Sequence, residues 1–516
     1  MPYQENALDA ALARAVATHD GILFRLAYPK RAGERRREEA RLLRAAAEVK
    51  RLLAQGADAA FLDDDARSGI AGTTIRTAFS YEMARWLARK FPSRVSIDDV
   101  NNAAPDRLAA LLPAFVPLLR EDALAEANVP YGTWFEAAAG RGPKALGWLL
   151  GRVAEIGGDA REKAERFDAL GLDLRLDVGD ALLSRTRTRL PSRKSFAFDA
   201  LLTRKDVSLE SALAGPRLSV RALSRREGER AIDDARGAMA VRYRELYGFT
   251  FADEATAVVA DAGRGTEIFL FGLPPLRRLP LRAAYAFLLV TNGVPVGYGE
   301  GFVLFERLEL SFNVFPAFRG GETAYLLSRV MKLFARRLGS RVFSLDPYQI
   351  GKGNEEAIAA GAFWFYRKLG FRPTDAGVTR LLRREEEKLA ADSSYRTPSR
   401  TLRRLAEAPL LYSGPEEGAA WERFRIRQLG LRGARRDGAT ERVARAAGLD
   451  AGRLTPAERE AFQGLAPVID LIPTRSRPGL AGLVELVRAK AGRSEDAYVR
   501  LLLDASDLRA ALLRAG

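Results

Sequence analysis

LELSFNVFPAFRGGETAYLLSRVMKLFARRLGSRVFSL, residues 308–345, is the stretch that decides the fold of the central part of this chain. Apolar and polar residues alternate from Leu308 to Phe315, which predicts a strand with one apolar and one polar face. Apolar residues then recur every three or four positions from Ala324 to Gly339, which predicts an amphipathic helix. A further apolar run, Arg341 to Leu345, predicts a second strand. The order strand, turn, helix, strand presents the N-terminal amides of a helix directly after a turn. Such amides can hold the phosphates of a phosphate-bearing ligand.

The turn PAFRGGETA, residues 316–324, opens directly onto the predicted helix. Gly320 and Gly321 allow close approach of the backbone, and the N–H groups of the first helical turn can receive an anion. An Arg-Gly-Gly turn before a helix is also consistent with a tight turn alone.

Three polar residues, Glu309, Ser311 and Asn313, share one face of the first predicted strand. A strand covered on both faces would be apolar throughout. The polar row therefore indicates either a face that lines a cleft or a half-exposed strand, and both interpretations stay open. Glu309 is the acidic group of interest.

The composition excludes several classes of site. The chain has no cysteine and one histidine, His19, which excludes a cysteine nucleophile, a thiolate zinc site and a disulfide framework. A Ser-His-Asp triad would have to use His19, and no nucleophile motif accompanies it. We interpret His19 as a solvent-facing or capping residue.

The 516 residues suggest about three domains. Residues 1–195 are predicted to form a helical domain, 215–376 a sheet domain and 381–516 a second helical domain. Helices are predicted over Arg35–Gln55, Ile75–Lys90, Ala104–Leu119 and Pro143–Ile156. Strand-like runs follow at Glu267–Leu273, Ala284–Val290 and Val294–Phe305.

The N-terminus shows no secretory signal, and the apolar run Ala283–Gly299 is broken by Asn292-Gly293 and Pro295. Asn-Gly between two apolar runs predicts a β-hairpin, because a type I′ turn needs positive φ at both central residues. We therefore expect a soluble, cytoplasmic protein without a membrane span.

The net charge of +16 raises the question of an acidic partner. The run Arg185–Lys194 is interrupted by Pro191 and serines and reads as a linker. In the run Arg423–Arg436, Arg423, Arg425 and Arg427 alternate with Phe424 and Ile426. This run fits either a phosphate-binding face or an ordinary half-buried strand or helix edge.

The order hairpin, strand, Arg-Gly turn, helix, strand and FYRKLGF, residues 365–371, resembles the GNAT superfamily of acyl-CoA-dependent N-acyltransferases over residues 215–376. The resemblance implies an α/β fold with a mixed sheet, flanked here by the two helical domains. It also implies that acetyl-CoA or another acyl-CoA is the cosubstrate, with no metal. The residues implied to contact it are Phe315, Arg319, Gly320, Gly321, Thr323, Ala324 and Asn354.

Glu322 stands where the family usually has its middle glycine. Two charges about 5 Å apart at an effective dielectric near 20 repel by roughly 3 kcal/mol. Glu322 must therefore point away from a bound pyrophosphate, or else it satisfies the helix dipole itself and the loop is degenerate.

The resemblance also implies catalytic roles for Tyr366, as the acid that protonates the leaving thiolate, and for Glu309, as the base that deprotonates the amine. A phenol near pKa 10 and a thiol near 8.5 differ by about 1.5 units, or ~2 kcal/mol, so unperturbed values suffice. The alternative to Tyr366 as acid is a tyrosine that packs with neighbouring aromatic residues.

Three functions follow. The first is transfer of an acyl group from acyl-CoA to a primary amine by direct attack. The second is a non-catalytic GNAT-like binding module, and the third is acyl or aminoacyl transfer that involves a tRNA or another nucleic-acid-linked substrate. The identity of the acceptor amine lies beyond the sequence.

Overall fold

The computed structural model of the protein describes residues 7–31, 33–100, 107, 131–179, 183–191 and 195–516. The helix predicted over Ala104–Leu119 lies outside these residues, apart from position 107. The chain forms two compact units. The first comprises residues 1–191 and 233–250, and the second comprises residues 192–232 and 251–516.

The described part of the chain up to residue 191 forms six helices and three strands. In chain order they are α1 Ala7–Ala27, α2 Arg35–Ala54, β1 Thr74–Thr77, α3 Tyr81–Lys90, β2 Val95–Ile97, α4 Tyr131–Ala139, α5 Pro143–Glu155, α6 Ala160–Leu170 and β3 Leu174–Asp177.

The remainder continues with α7 Leu209–Ala214, β4 Ser219–Ala222, α8 Arg225–Ala240, α9 Tyr247–Thr250, β5 Val258–Gly263, β6 Thr266–Phe271, β7 Ala283–Thr291, β8 Val294–Leu304, β9 Arg307–Val314, α10 Thr323–Leu338, β10 Val342–Leu345, α11 Pro347–Ile350, α12 Glu355–Ala359, α13 Ala362–Arg367, β11 Arg372–Pro373, α14 Ala376–Ala391, α15 Ser399–Leu405, β12 Leu410–Tyr412, α16 Pro415–Trp421, α17 Ile426–Ala434, α18 Ala439–Ala447, α19 Pro456–Ile469, α20 Leu480–Ala491, α21 Asp496–Asp504 and α22 Ser506–Ala515.

The first unit holds a three-stranded antiparallel sheet in the order β1-β3-β2, so the prediction of an all-helical region is wrong. The helix predicted over Ile75–Lys90 in fact begins at Tyr81. The Ser80 hydroxyl accepts a hydrogen bond from the Met83 amide and caps it. The preceding residues TIRT are mostly β-branched, which favours the strand β1.

Burial shows that two further interpretations of this region are wrong, namely that His19 is a solvent-facing or capping residue and that the run Arg185–Lys194 is a linker. His19 is fully buried, and its Nε2 lies 2.8 Å from the Thr186 hydroxyl. Arg185 is also buried, and its guanidinium donates to the Asp20 carboxylate at 2.7 Å. Arg185, Thr186 and Thr188 are thus buried in the first unit, and this stretch is not a linker, although Arg187 is exposed.

The second unit is built on a nine-stranded mixed sheet in the order β11-β12-β10-β9-β8-β7-β6-β5-β4. Successive strands from β4 to β9 pair in an antiparallel manner, whereas β10 is parallel to β9. Strand β12 is antiparallel to both β10 and β11. It follows that β9, β10 and β11 all run in the same direction.

Strand β12 comes from the part of the chain that was predicted to be helical. Its three residues, Leu410–Tyr412, become a strand by pairing with Phe343–Leu345. A run of three residues carries too little periodicity for detection from sequence. The division of the chain into three domains stays a prediction, while the C-terminal region contributes a strand to the central sheet.

The predicted hairpin is confirmed. Asn292 and Gly293 connect β7 and β8 with φ values of 49° and 80°, as a type I′ turn requires. Strand β7 is buried along its whole length, since both faces of the sheet are covered there.

The predicted strand-turn-helix-strand stretch is also confirmed, as β9, α10 and β10. Buried and partly exposed residues alternate along β9, as the sequence indicated. Helix α10 packs on the sheet where β8 has glycines. A Cβ at Gly301 would lie 2.6 Å from the ring of Phe334. The glycine is needed because the helix approaches this closely.

The stretch 357–366 is almost entirely apolar, which favours a single buried helix. It forms instead two short helices, α12 and α13, separated at Gly361, which has a φ of 67°. In the run Arg423–Arg436, α17 begins at Ile426, so a helix edge fits the structure and an extended strand does not. Among the described residues, none of the helices has the length and apolar content to cross a membrane.

Candidate functional site

The candidate site lies where β9 and β10 separate. The two strands pair in parallel from Arg307 to Glu309. Strand β9 then continues to Val314 paired only with β8, so its other edge is open, while β10 ends at Leu345. Two side chains reach β9 beyond this point. The Tyr366 hydroxyl lies 3.5 Å from the Phe312 carbonyl oxygen, and the Gln349 amide donates to the Ser311 hydroxyl at 3.1 Å.

Tyr366 lies on α13 and is 4% exposed. Its ring contacts Phe365 and Phe371, with centroids 5.1 and 5.5 Å away. Burial raises the pKa of Tyr366 well above its ordinary value. The phenol therefore stays protonated at neutral pH, and proton transfer to a thiolate costs more than the ~2 kcal/mol expected from unperturbed values. Tyr366 is better suited to donate a hydrogen bond than to give up its proton.

Glu309 is half-buried between two arginines. Arg282 donates to one carboxylate oxygen at 3.0 Å, and an Nη atom of Arg307 lies 3.5 Å from the other. Arg307 is itself buried, donates to the Ser344 hydroxyl at 3.0 Å, and has a pKa lowered to about 10, chiefly by burial. To act as a base, Glu309 would have to exchange one of these partners for the amine.

The predicted phosphate loop leaves the end of β9 at Phe315, which is buried with its ring 5.1 Å from that of Tyr298. A single 3₁₀ turn, Pro316–Phe318, leads through exposed Arg319 and Gly320 to Gly321. The Thr323 amide donates to the Gly321 carbonyl at 3.0 Å. The loop therefore places the start of α10 directly after the unpaired part of β9.

Glu322 is the N-cap residue of α10, and its side chain makes no capping hydrogen bond. The first intrahelical bond at this end runs from the Leu326 amide to the Glu322 carbonyl, at 2.9 Å. In the first turn, the amides of Ala324 and Tyr325 thus have no intrahelical acceptor, as helix geometry requires. The carboxylate of Glu322 does not occupy them, so they are available to an anion.

The Glu322 carboxylate is instead buried, 1% exposed, against Arg264. Arg264 Nε lies 2.8 and 3.0 Å from its two oxygens, and the Leu202 amide donates to it at 2.8 Å. The rings of Phe196 and Phe198 each lie 5.1 Å from the Arg264 guanidinium carbon. An opposite charge in contact offsets the repulsion that Glu322 would exert on a bound phosphate.

Two predicted ligand contacts are engaged within the protein. Arg319 forms an ion pair with Glu356. Asn354 caps α12, with its side-chain oxygen accepting from the Ala357 amide at 3.0 Å and its amide donating to the Tyr348 carbonyl at 3.1 Å. Arg319 and Asn354 each have further N–H donors with which they can contact a ligand.

The predicted site residues thus follow one another along the chain, with Glu309 on β9, Phe315, Arg319, Gly320 and Gly321 in its exit, and Thr323 and Ala324 at the start of α10. Tyr366 contacts the same strand at Phe312. Sequence reasoning missed Arg264, Arg282 and Gln349, which come from distant positions. Only the Gly-Arg-Gly sequence around Arg264 gave a signal, and that signal indicates a turn.

Comparison of the chain with protein-family models, with curated proteins and with solved structures found no match. Within the described residues, no group of three or more acidic or histidine side chains is placed to hold a metal ion.

Proposed function

We propose that the protein is an acyl-CoA-dependent N-acyltransferase that moves an acyl group, most simply acetyl, to a primary amine. The observation that carries the proposal is the separation of β9 from its parallel neighbour β10, directly before a turn that opens onto α10. This geometry supplies unpaired strand edges for an extended ligand and free helix amides for its phosphates.

In this proposal the amine first loses a proton to Glu309, directly or through water. Its nitrogen then attacks the thioester carbon, the C–N bond forms, and the C–S bond breaks with its electron pair on sulfur. Tyr366 donates a hydrogen bond to that sulfur, while the proton that completes the thiol comes from the attacking nitrogen. Charge stabilisation and proton transfer of this kind contribute about 10² to 10⁴-fold.

The first test is a calorimetric or thermal-shift titration with coenzyme A and acetyl-CoA. A ligand at 100 times its dissociation constant should add ~2.7 kcal/mol to stability. The second test is turnover of Tyr366→Phe, which should fall with little change in acyl-CoA affinity. Tyr412→Phe is the matched control, because Tyr412 lies half-buried on the neighbouring strand β12. Unchanged turnover in Tyr366→Phe would remove Tyr366 from the mechanism.

A non-catalytic binding module is the second candidate. It is favoured by the burial of Tyr366, by the two arginines on Glu309 and by the ion pair of Arg319 with Glu356. Saturable binding of coenzyme A without turnover of acetyl-CoA on a panel of amines would support this candidate. Turnover that depends on Glu309 would exclude it.

The candidate of a nucleic-acid-linked substrate rests on the arginines of α17, of which Arg427 and Arg432 are exposed. Affinity for RNA that falls steeply with salt would support it. No measurable RNA binding at low salt would end it.

A further inference from the structure

A cleft of about 390 Å³ lies between α14 and α15, away from the separation of β9 and β10. Three arginines line it, Arg380 and Arg384 from α14 and Arg404 from α15, together with Asp375 and Glu407. Arg380 and Arg384 are one helical turn apart and therefore lie on the same face of α14. The lining carries three positive and two negative charges.

The three arginines share one cleft, and over the residue ranges that the structure describes their guanidinium groups are not committed to a protein partner. Among the described residues, none of them forms an ion pair or donates a side-chain hydrogen bond. Two other charged residues of α14 are paired, Glu386 with Arg367 of α13 at 2.9 Å and Glu385 with Lys388 at 2.7 Å.

Within the described part of the chain, the acidic residues of the cleft form no ion pair with these arginines. The Asp375 carboxylate caps α14 by accepting from the Val378 amide at 2.9 Å. Glu407 is exposed. Guanidinium groups that are not committed to a carboxylate have the planar donor geometry that matches a phosphate.

The topology of the sheet brings this cleft to the edge where the candidate site lies. Strands β9 and β11 run in the same direction, α10 follows β9, and α14 follows β11. Both helices therefore begin at the same edge. The two strands are three positions apart in the sheet, or about 14 Å.

Two ion pairs on α12 connect the turn before α10 with the neighbourhood of the cleft. Arg319, in the turn before α10, pairs with Glu356, and the adjacent Glu355 pairs with Arg403 at 2.8 Å. Arg403 precedes Arg404, which lines the cleft. The turn before α10 and the cleft are thus connected through α12 at the same edge of the sheet.

We propose that the cleft between α14 and α15 binds a phosphate group through Arg380, Arg384 and Arg404. Two sources share this chemistry. One is the 3′-phosphate of the same coenzyme A that the proposed function places at α10, and this source rests on that function. The other is a separate phosphorylated ligand, which does not depend on it.

The experiment measures the affinity of the full chain for three probes, coenzyme A, dephospho-coenzyme A and inorganic pyrophosphate, by isothermal titration calorimetry. The variants are Arg380→Gln with Arg384→Gln, and Arg404→Gln alone. Arg383→Gln is the matched control, because Arg383 is exposed on the same helix and does not line the cleft. Equal melting temperatures check that all variants fold.

If the 3′-phosphate is the occupant, the double variant should bind coenzyme A about tenfold more weakly, with unchanged affinity for dephospho-coenzyme A. If a separate ligand is the occupant, the affinity for coenzyme A should stay the same while that for pyrophosphate falls about tenfold. Loss of neither affinity, or an equal loss in Arg383→Gln, would overturn the proposal.

The failure of the proposed function would look different. In that case the unmodified protein would bind neither coenzyme A nor dephospho-coenzyme A. The cleft would then be judged on pyrophosphate alone, and undiminished pyrophosphate binding in the double variant would overturn it.

Discussion

Replacement of Arg264 by methionine is the sharpest test of how this chain accommodates Glu322 at the start of α10. The substitution removes the guanidinium that contacts both oxygens of the buried carboxylate and leaves the Leu202 amide as its remaining donor. Methionine keeps an unbranched apolar stem beside the rings of Phe196 and Phe198. The change therefore removes charge compensation more than packing.

The expected magnitude follows from burial. Removal of one partner of a buried ion pair costs about 3 to 5 kcal/mol. Because the Arg264 side chain is 25% exposed, the lower end applies, about 3 kcal/mol. That corresponds to a fall in melting temperature of roughly 5 °C for the second unit, which has about 300 residues. Glu322→Gln should cost less, since its amide oxygen still accepts from Leu202.

The assay is thermal and chemical denaturation of Arg264→Met, Glu322→Gln and the double variant, with exposed Arg217→Met as control. The double variant should be more stable than Arg264→Met alone, because it removes the uncompensated charge. Coenzyme A affinity gives a second readout, since an uncompensated carboxylate about 5 Å away repels a phosphate by roughly 3 kcal/mol. Strict additivity of the two substitutions, or an unchanged melting temperature in Arg264→Met, would refute the reasoning.

Three further predictions concern single residues. Burial lowers the pKa of His19 to about 4, below its value of about 6.5 in the unfolded state. Between pH 6.5 and pH 4 the unfolded state therefore binds more protons than the folded state, and the free energy of unfolding falls as the pH drops. Between pH 7 and pH 5 the free energy of unfolding should fall by about 2 kcal/mol more in the unmodified protein than in His19→Gln. An equal fall in both proteins would contradict a lowered pKa of His19. Gly301→Ala should cost about 1 to 3 kcal/mol by forcing a methyl group against Phe334, whereas Gly430→Ala, with open space at its Cβ, should not destabilise the protein. Tyr366→Phe should be nearly neutral in stability, within about 1 kcal/mol, because its hydrogen bond is long; a larger loss would show that the hydroxyl is structural.

The sequence predicted best those elements whose signal is local. Alternation along β9, the apolar stripe of α10 and the Asn292-Gly293 turn each follow from a few neighbouring residues, and all three are confirmed. Prediction failed where the local sequence pattern indicates a different element from the one that forms. Residues of β1 were assigned to the following helix, and Gly361 breaks an apolar run that looked continuous.

The candidate site could be located from sequence, whereas its chemistry could not be judged. The turn before α10 and the position of Tyr366 follow from motif order. The burial that raises the pKa of Tyr366 depends on packing by surrounding aromatic residues. The partner of Glu322 lies 58 positions away, at Arg264, and no local pattern predicts a pair at that distance.

By itself, the sequence determined that this chain has a strand, a turn and an amphipathic helix in the order suited to holding phosphates, because periodicity assigns each residue a face. Only the tertiary structure decided that Glu322 is compensated, that Tyr366 is buried and that β12 completes the sheet beside β10. The physical reason is that charge compensation and desolvation depend on which atoms surround a group, and those atoms come from distant parts of the chain.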